Sequence, residues 1–122
     1  LYKMVKINVL EKFSLFTEYW SPKIVGELNS QYVKLAKLKG EFVWHKHVHE
    51  DELFMVIKGS LTIEFRDKTM IINENEFIIV PQGTEHKPIA EEEVWVLLFE
   101  PKGTINTGDT ISVFTKEKLE EL

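Results

Sequence analysis

Turn-forming residues interrupt this chain every several positions, which leaves room for little but short strands. Trp20-Ser21-Pro22, Asn29-Ser30, Gly40, Gly59, Asp67-Lys68 and Pro81-Gln82-Gly83 each mark a break. Between them, residues 24–28, 31–39, 42–47, 53–58, 61–66, 70–72, 76–80, 86–90 and 94–100 read as strands. The alternation is clearest in 61–66, where Leu61, Ile63 and Phe65 face one way and Thr62, Glu64 and Arg66 the other. Asp67-Lys68 reads as a two-residue hairpin turn, and Glu91-Glu92-Glu93 as a solvated turn. Residues 8–17 form the early helical candidate, with Asn8 as N-cap and Leu10, Phe13 and Phe16 on one face. After a polar loop over 101–109, residues 111–114 read as a last strand and 116–122 as a short charged helix. Eight to ten short strands predict an all-β antiparallel sandwich or barrel that encloses a cavity.

The 122 residues are enough for one domain with one modest core, and we expect a single domain over 1–122. Leu1 to Lys3 precede Met4, and we expect them to be an addition, with translation starting at Met4 or nearby. No signal-peptide pattern opens the chain, and no apolar run approaches the ~20 residues of a membrane span. A net charge of −5 argues against a nucleic-acid partner, which calls for a basic surface. The chain has no cysteine, so disulfides and thiolate ligands are excluded, in keeping with a cytoplasmic location.

All four histidines belong to one pattern: His45, His47 and His49 on alternate positions, Glu52 just after them, and His86 further on. Residues two apart on a strand share a face, so His45 and His47 present two imidazoles side by side. A short loop brings Glu52 back beside them. His86 follows Pro81-Gln82-Gly83-Thr84-Glu85, a turn whose proline and glycine define its shape and so place the next side chain accurately. Three imidazole nitrogens and a carboxylate oxygen suit iron(II), manganese, nickel, cobalt or zinc, and leave an octahedral ion two open positions. An isolated pair of alternate histidines is more often a polar strand face. Glu52 and the turn-positioned His86 are what tip the pattern toward metal. His49 falls in the loop that returns Glu52 and is expected to point to solvent.

Gly40, His45, His47, Glu52 and Gly59 resemble the first motif of the cupin superfamily, G-x5-H-x-H-x(3,4)-E-x6-G, with four residues rather than five between Gly40 and His45. Asn75, Pro81, Gly83 and His86 resemble the second, G-x5-P-x-G-x2-H-x3-N. There Asn75 replaces a glycine, and Ala90 replaces the final asparagine. Asn visits the left-handed region more readily than most residues, so the first exchange is tolerable. The segment over 101–109 resembles that of small cupins labelled mannose-6-phosphate isomerase-like. The resemblance implies a double-stranded β-helix, the cupin jelly-roll barrel. It implies a divalent transition metal (zinc, iron, manganese or nickel) held by His45, His47, Glu52 and His86. It also implies a homodimer formed through an edge strand, with Phe13, Phe16, Tyr19 and Trp20 as candidates for the interface or for covering the barrel end.

Such a site permits dioxygenase chemistry with iron, or Lewis-acid isomerisation or decarboxylation with zinc or manganese. Glu52, if it leaves the metal, is the candidate catalytic general base. The expected function is a metal-dependent enzyme, dioxygenase or isomerase-like, acting on a small polar metabolite. The alternative is a non-catalytic small-ligand binding or sensing module, and a structural homodimer with a vestigial site is the third reading. Phe42, Trp44, Phe54, Phe77, Trp95 and Phe99 are expected mostly in the core, with Phe42 and Trp44 facing away from His45. The single arginine, Arg66, is expected to be solvated, and Gln82 and Lys87 flank the His86 turn.

Overall fold

The computed structural model describes residues 4–122, so the expectation about Leu1 to Lys3 lies outside the described residues. One helix, α1 (Val9–Phe13), precedes seven strands: β1 (Lys23–Leu28), β2 (Gln31–Glu41), β3 (Glu52–Lys58), β4 (Leu61–Phe65), β5 (Thr69–Ile72), β6 (Phe77–Val80) and β7 (His86–Pro101). Every strand pairing is antiparallel. The path runs β1-β2-β7-β3-β6, while β4 pairs with both β5 and the first part of β7. The result is the all-β jelly roll expected of the sequence.

The 16-residue β7 organises this sheet. Residues 86–90 and 94–100 were expected as two strands, with Glu91-Glu92-Glu93 as a turn. They are instead one strand with a bend. Its first part pairs with β4, and its second runs between β2 and β3. The bend is the point where β2–β7 pairing slips from Leu38↔Val94 to Gly40↔Ala90. Gly40, with φ +86, sits in the irregularity rather than ending β2.

Three other expected elements are absent among the described residues. Residues 42–47 do not form a ladder strand; their one bridge is His45↔His86. Residues 111–114 are turns and coil, and 116–122 are not helical. The tail instead lies along β1, where Leu122 N–H donates to the Ile24 carbonyl (2.9 Å) and Glu121 bridges Ile24. Lys116 to Leu122 carries charge but too few apolar side chains to bury one helical face, so the backbone takes its hydrogen bonds from a strand edge.

The helix is capped as expected, with Asn8 Oδ1 accepting from Glu11 N–H at 3.0 Å, but it ends at Phe13. The Ser14 hydroxyl donates to the Glu11 carbonyl (2.6 Å), a local bond that competes with helix propagation. Leu10 is exposed, and Val9 takes its place on the buried face. Phe13, Phe16 and Leu35 form a cluster on the outer face of the sheet, with Phe13 stacked on Trp95 at 4.8 Å between ring centroids. Phe13 and Phe16 thus serve the chain's own core and Trp20 enters the barrel itself, while Tyr19 stays exposed with its hydroxyl donating to Glu93 Oε1 at 2.6 Å. Phe13 is wholly buried, so Phe13→Ala is expected to lower stability by about 3–5 kcal/mol, measured by chemical denaturation.

The larger core fills the barrel between the sheet layers and includes Leu38, Phe54, Val56, Leu61, Ile63, Val94 and Val96. Strand β4 alternates buried and partly exposed positions as the sequence predicts, and β3 alternates too although its residues 53–57 are all apolar. Phe77 does not join it: on edge strand β6 it is 60% exposed, because its face of that strand has no covering layer. No helix among the described residues is long and apolar enough to cross a membrane.

Candidate metal centre

Four buried side chains meet at one end of the barrel: His45, His47, Glu52 and His86. Each comes from a differently fixed piece of backbone. His45 and His86 lie directly opposite one another and exchange both backbone hydrogen bonds, at 3.0 and 2.9 Å. Their rings stand 4.3 Å apart between centroids. Glu52 opens β3. The turn at 81–84 is tied to the loop before Glu52, since Gly83 N–H donates to the His47 carbonyl (2.8 Å) and Gln82 N–H to Asp51 Oδ1 (2.8 Å). The loop carrying two of the residues and the turn carrying the fourth therefore form one rigid unit. Asn75 does adopt the left-handed conformation, at φ +66.

Two of the three imidazoles are oriented through their second nitrogens. His45 Nδ1–H donates to the Val43 carbonyl and His86 Nδ1–H to the Thr84 carbonyl, each at 2.9 Å. A carbonyl only accepts, so both Nδ1 atoms carry the proton and both Nε2 lone pairs are free. His47 Nε2 and His86 Nε2 lie 3.3 and 3.5 Å from Glu52 Oε1. These three atoms and His47 Nδ1 are buried without a well-formed hydrogen bond. Buried polar atoms left so are costly, and several converging on one point call for a shared partner. One donor atom from each of the four residues lies within 4.8 Å of the others. Opposite donors around an ion with bonds of about 2.1 Å stand about 4.2 Å apart, so the set closes on an ion by a few tenths of an ångström. Nitrogen and oxygen donors in this number fit a divalent transition metal.

Electrostatics separates the members. Burial pushes His45 down to about 4, and the neighbouring His86 adds to the push. Burial also presses on His47, but the close contact with the Glu52 carboxylate and its charge outweigh it and leave His47 above its ordinary value. Burial alone would raise the Glu52 carboxyl, yet contacts with Glu100, His47 and His86 hold it well below the usual range. In metal-free protein, then, the unfolded chain takes up a proton on His45 below about pH 6.5 that the folded chain refuses until about pH 4. Through His45, falling pH costs stability across that window, by about 3 kcal/mol at its lower end, while His47, held above its ordinary value, works the other way. An NMR titration of the His45 ring should show a midpoint near 4; an ordinary midpoint would contradict the assignment.

Beside the cluster lies a cavity of about 40 Å³, room for a few water-sized groups. Its wall is mainly apolar, with Trp20, Phe42, Phe54, Leu38 and Leu98, and its polar members are His45, Glu52, Glu100 and Asn106. Phe42 was expected to face away from His45. It instead packs edge-on against that ring at 5.3 Å and stacks on Trp20 at 4.5 Å, because 42–47 leaves the strict alternation of a strand. Trp44 is half-buried under Arg66, whose guanidinium lies 3.8 Å over the indole, while Arg66 otherwise stays exposed and pairs with Glu85. His49 is exposed, as expected.

Two residues missed from the sequence complete the site. Lys34 and Glu100 are each about 1% exposed, and Lys34 Nζ donates to Glu100 Oε1 at 2.8 Å. Burial and the neighbouring Glu52 push the Glu100 carboxyl well above its usual range, against the pull of Lys34. The available signal was alternation: Lys34 shares a face with Ala36 and Leu38, and Glu100 with Val96 and Leu98.

A family model of the cupin domain matches residues 31–99, more than half of the chain. The chain belongs to the cupin family. A cupin-2 domain containing protein from Shewanella frigidimarina shares 46% identity with it, with a TM-score of 0.78 over 79% of this chain and 94% of that one. Protein NMB1881 from Neisseria meningitidis shares 29%, with a TM-score of 0.74 over 80% of this cupin and all of that chain. The uncharacterized protein YdbB of Bacillus subtilis is 42% identical over 64 residues, and this cupin spans 57% of its length.

Proposed function

We propose that this cupin holds a divalent transition metal through His45, His47, Glu52 and His86 and binds a small, compact molecule beside it, as a metal-dependent enzyme of dioxygenase or isomerase type. The observation that carries the reading is the set of unpartnered donor atoms, all buried and converging, with two imidazoles already turned by carbonyls to offer Nε2. A bound metal of this class supplies Lewis acidity, and iron adds oxygen chemistry. The chain's own part is to hold the donors, exclude water with Trp20, Phe42 and Phe54, and orient the ligand against an apolar wall. That wall revises the expected substrate. A molecule with one polar, metal-directed end and a compact apolar body fits the cavity better than one polar throughout. Glu52 belongs with the ligands rather than as a general base, since a carboxyl held well below its usual range is a weak proton acceptor. A cytoplasmic homodimer completes the proposal, and light scattering on purified protein measures the oligomeric state.

Elemental analysis of protein purified without chelator tests the core of this reading. One divalent ion per chain is expected. Stoichiometric iron favours the dioxygenase form, and zinc or manganese the isomerase form. No metal uptake after reconstitution with each of zinc, iron, manganese and nickel overturns the proposal. A non-catalytic ligand-binding module would hold the same metal but turn over no candidate compound.

A further inference from the structure

Glu52 does not stand alone on its strand wall. The β3–β7 register sets Leu53 opposite Phe99 and Phe54 opposite Leu98, so the next step sets Glu52 opposite Glu100. In the β2–β7 register, Tyr32 faces Glu100 and Lys34 faces Leu98, so Lys34 is the diagonal neighbour of Glu100 on the same inward face. Lys34, Glu100 and Glu52 therefore form a line across three adjacent strands, ending at the cluster of histidines. All three are nine-tenths or more buried. Carboxyls directly opposite one another in a dry wall repel unless a cation or a proton stands with them. Lys34 supplies the cation, and its 2.8 Å bond to Glu100 Oε1 fixes that side chain from behind. Lys34 is itself pinned by a longer contact to the Thr104 carbonyl, at 3.5 Å.

We propose that Glu100, clamped by Lys34, is a positioning residue that braces the Glu52 carboxylate so that Oε1 faces His47 and His86. The proposal rests on the metal-binding reading of the four-residue cluster and extends it to the shell behind. Side chains that orient ligand carboxylates typically govern metal affinity by about 10–100-fold. Glu52 meets His47 and His86 through Oε1, and Glu100 occupies the strand position directly opposite it. Without that brace, Glu52 would have rotamers that turn Oε1 away from the imidazoles.

The test is zinc affinity measured by competition with a chromophoric chelator, with cobalt absorption spectra as a second readout of the donor set. Lys34→Met with Glu100→Leu removes the buried pair together and leaves no orphaned charge, so the fold survives. This double variant is expected to bind zinc about 10–100-fold more weakly and to change the cobalt spectrum. Glu100→Gln keeps an oxygen for Lys34 and a side chain of the same shape opposite Glu52, so its zinc affinity and cobalt spectrum should match those of the unaltered protein. Unchanged zinc affinity in a folded double variant overturns the positioning role while leaving the metal reading intact. So does a loss in Glu100→Gln as large as in the double variant. Failure of the unaltered protein to bind zinc, iron, manganese, cobalt or nickel overturns both.

Discussion

His47→Ala is expected to weaken metal binding by about a hundredfold or more, while His49→Ala leaves it unchanged. The two residues are chemically identical and two positions apart, so the comparison isolates placement. His47 is 3% exposed, with its Nε2 3.3 Å from Glu52 Oε1, whereas His49 is exposed. A metal-binding free energy of about 10–16 kcal/mol shared over four ligands makes each worth about 3 kcal/mol, or roughly a hundredfold or more in affinity. Loss of His47 also leaves the Glu52 carboxylate without one of the contacts that hold it charged. Zinc competition against a chelator measures both variants. Equal losses in the two would show that the donor set is misassigned.

Among the glycine-to-alanine changes, Gly108→Ala should be the most damaging. Gly108 has φ +57, and a Cβ there would come within 2.2 Å of the Lys46 carbonyl oxygen and 3.2 Å of the His45 ring. Lys46 lies between two of the donors, so the loop cannot yield without moving the site. Three bonds hold it down. Asp109 N–H donates to the Lys46 carbonyl (3.0 Å), Lys46 N–H to Asp109 Oδ1 (3.0 Å), and the Thr110 hydroxyl to the Trp44 carbonyl (3.0 Å). The left-handed backbone costs an alanine about 1–2 kcal/mol before any clash, and displacing the loop brings the total loss of stability to about 3 kcal/mol. Zinc affinity should fall with it. Gly103→Ala is the control: nothing lies within 4 Å of its added Cβ, so its effect should stay within about 0.5 kcal/mol. Thermal unfolding of the two variants side by side decides the matter, and equal midpoints would refute the account.

Local signals carried most strand bounds. Asn29, Gly59 and Gly83 take the positive φ their turns require, and β4 alternates as written. The three histidines among the metal-site candidates were legible because histidine is rare in the chain and their spacing is specific, whereas Glu52, one glutamate among many, was legible through spacing alone. What escaped depends on partners distant in sequence. Residues 42–47 carry a strand-like pattern, but their one ladder partner is His86, so the pairing stops at a bridge. Glu91-Glu92-Glu93 has the composition of a turn, yet β2 and β4 hold the backbone on either side extended. Phe77 looks like core until β6 proves to be an edge. Lys34 and Glu100 look like ordinary solvated charges. Only the register shows each facing the other inside the barrel, 66 residues apart in sequence.

The position of β7 late in the sequence has a consequence for how the protein folds. It supplies the neighbour of β2, β3 and β4, and it carries His86. Until β7 is in place, β2, β3 and β4 each lack a neighbour, and only three of the four candidate ligands are present. Closure of the barrel and assembly of the four-residue cluster therefore wait on the same strand and arise together.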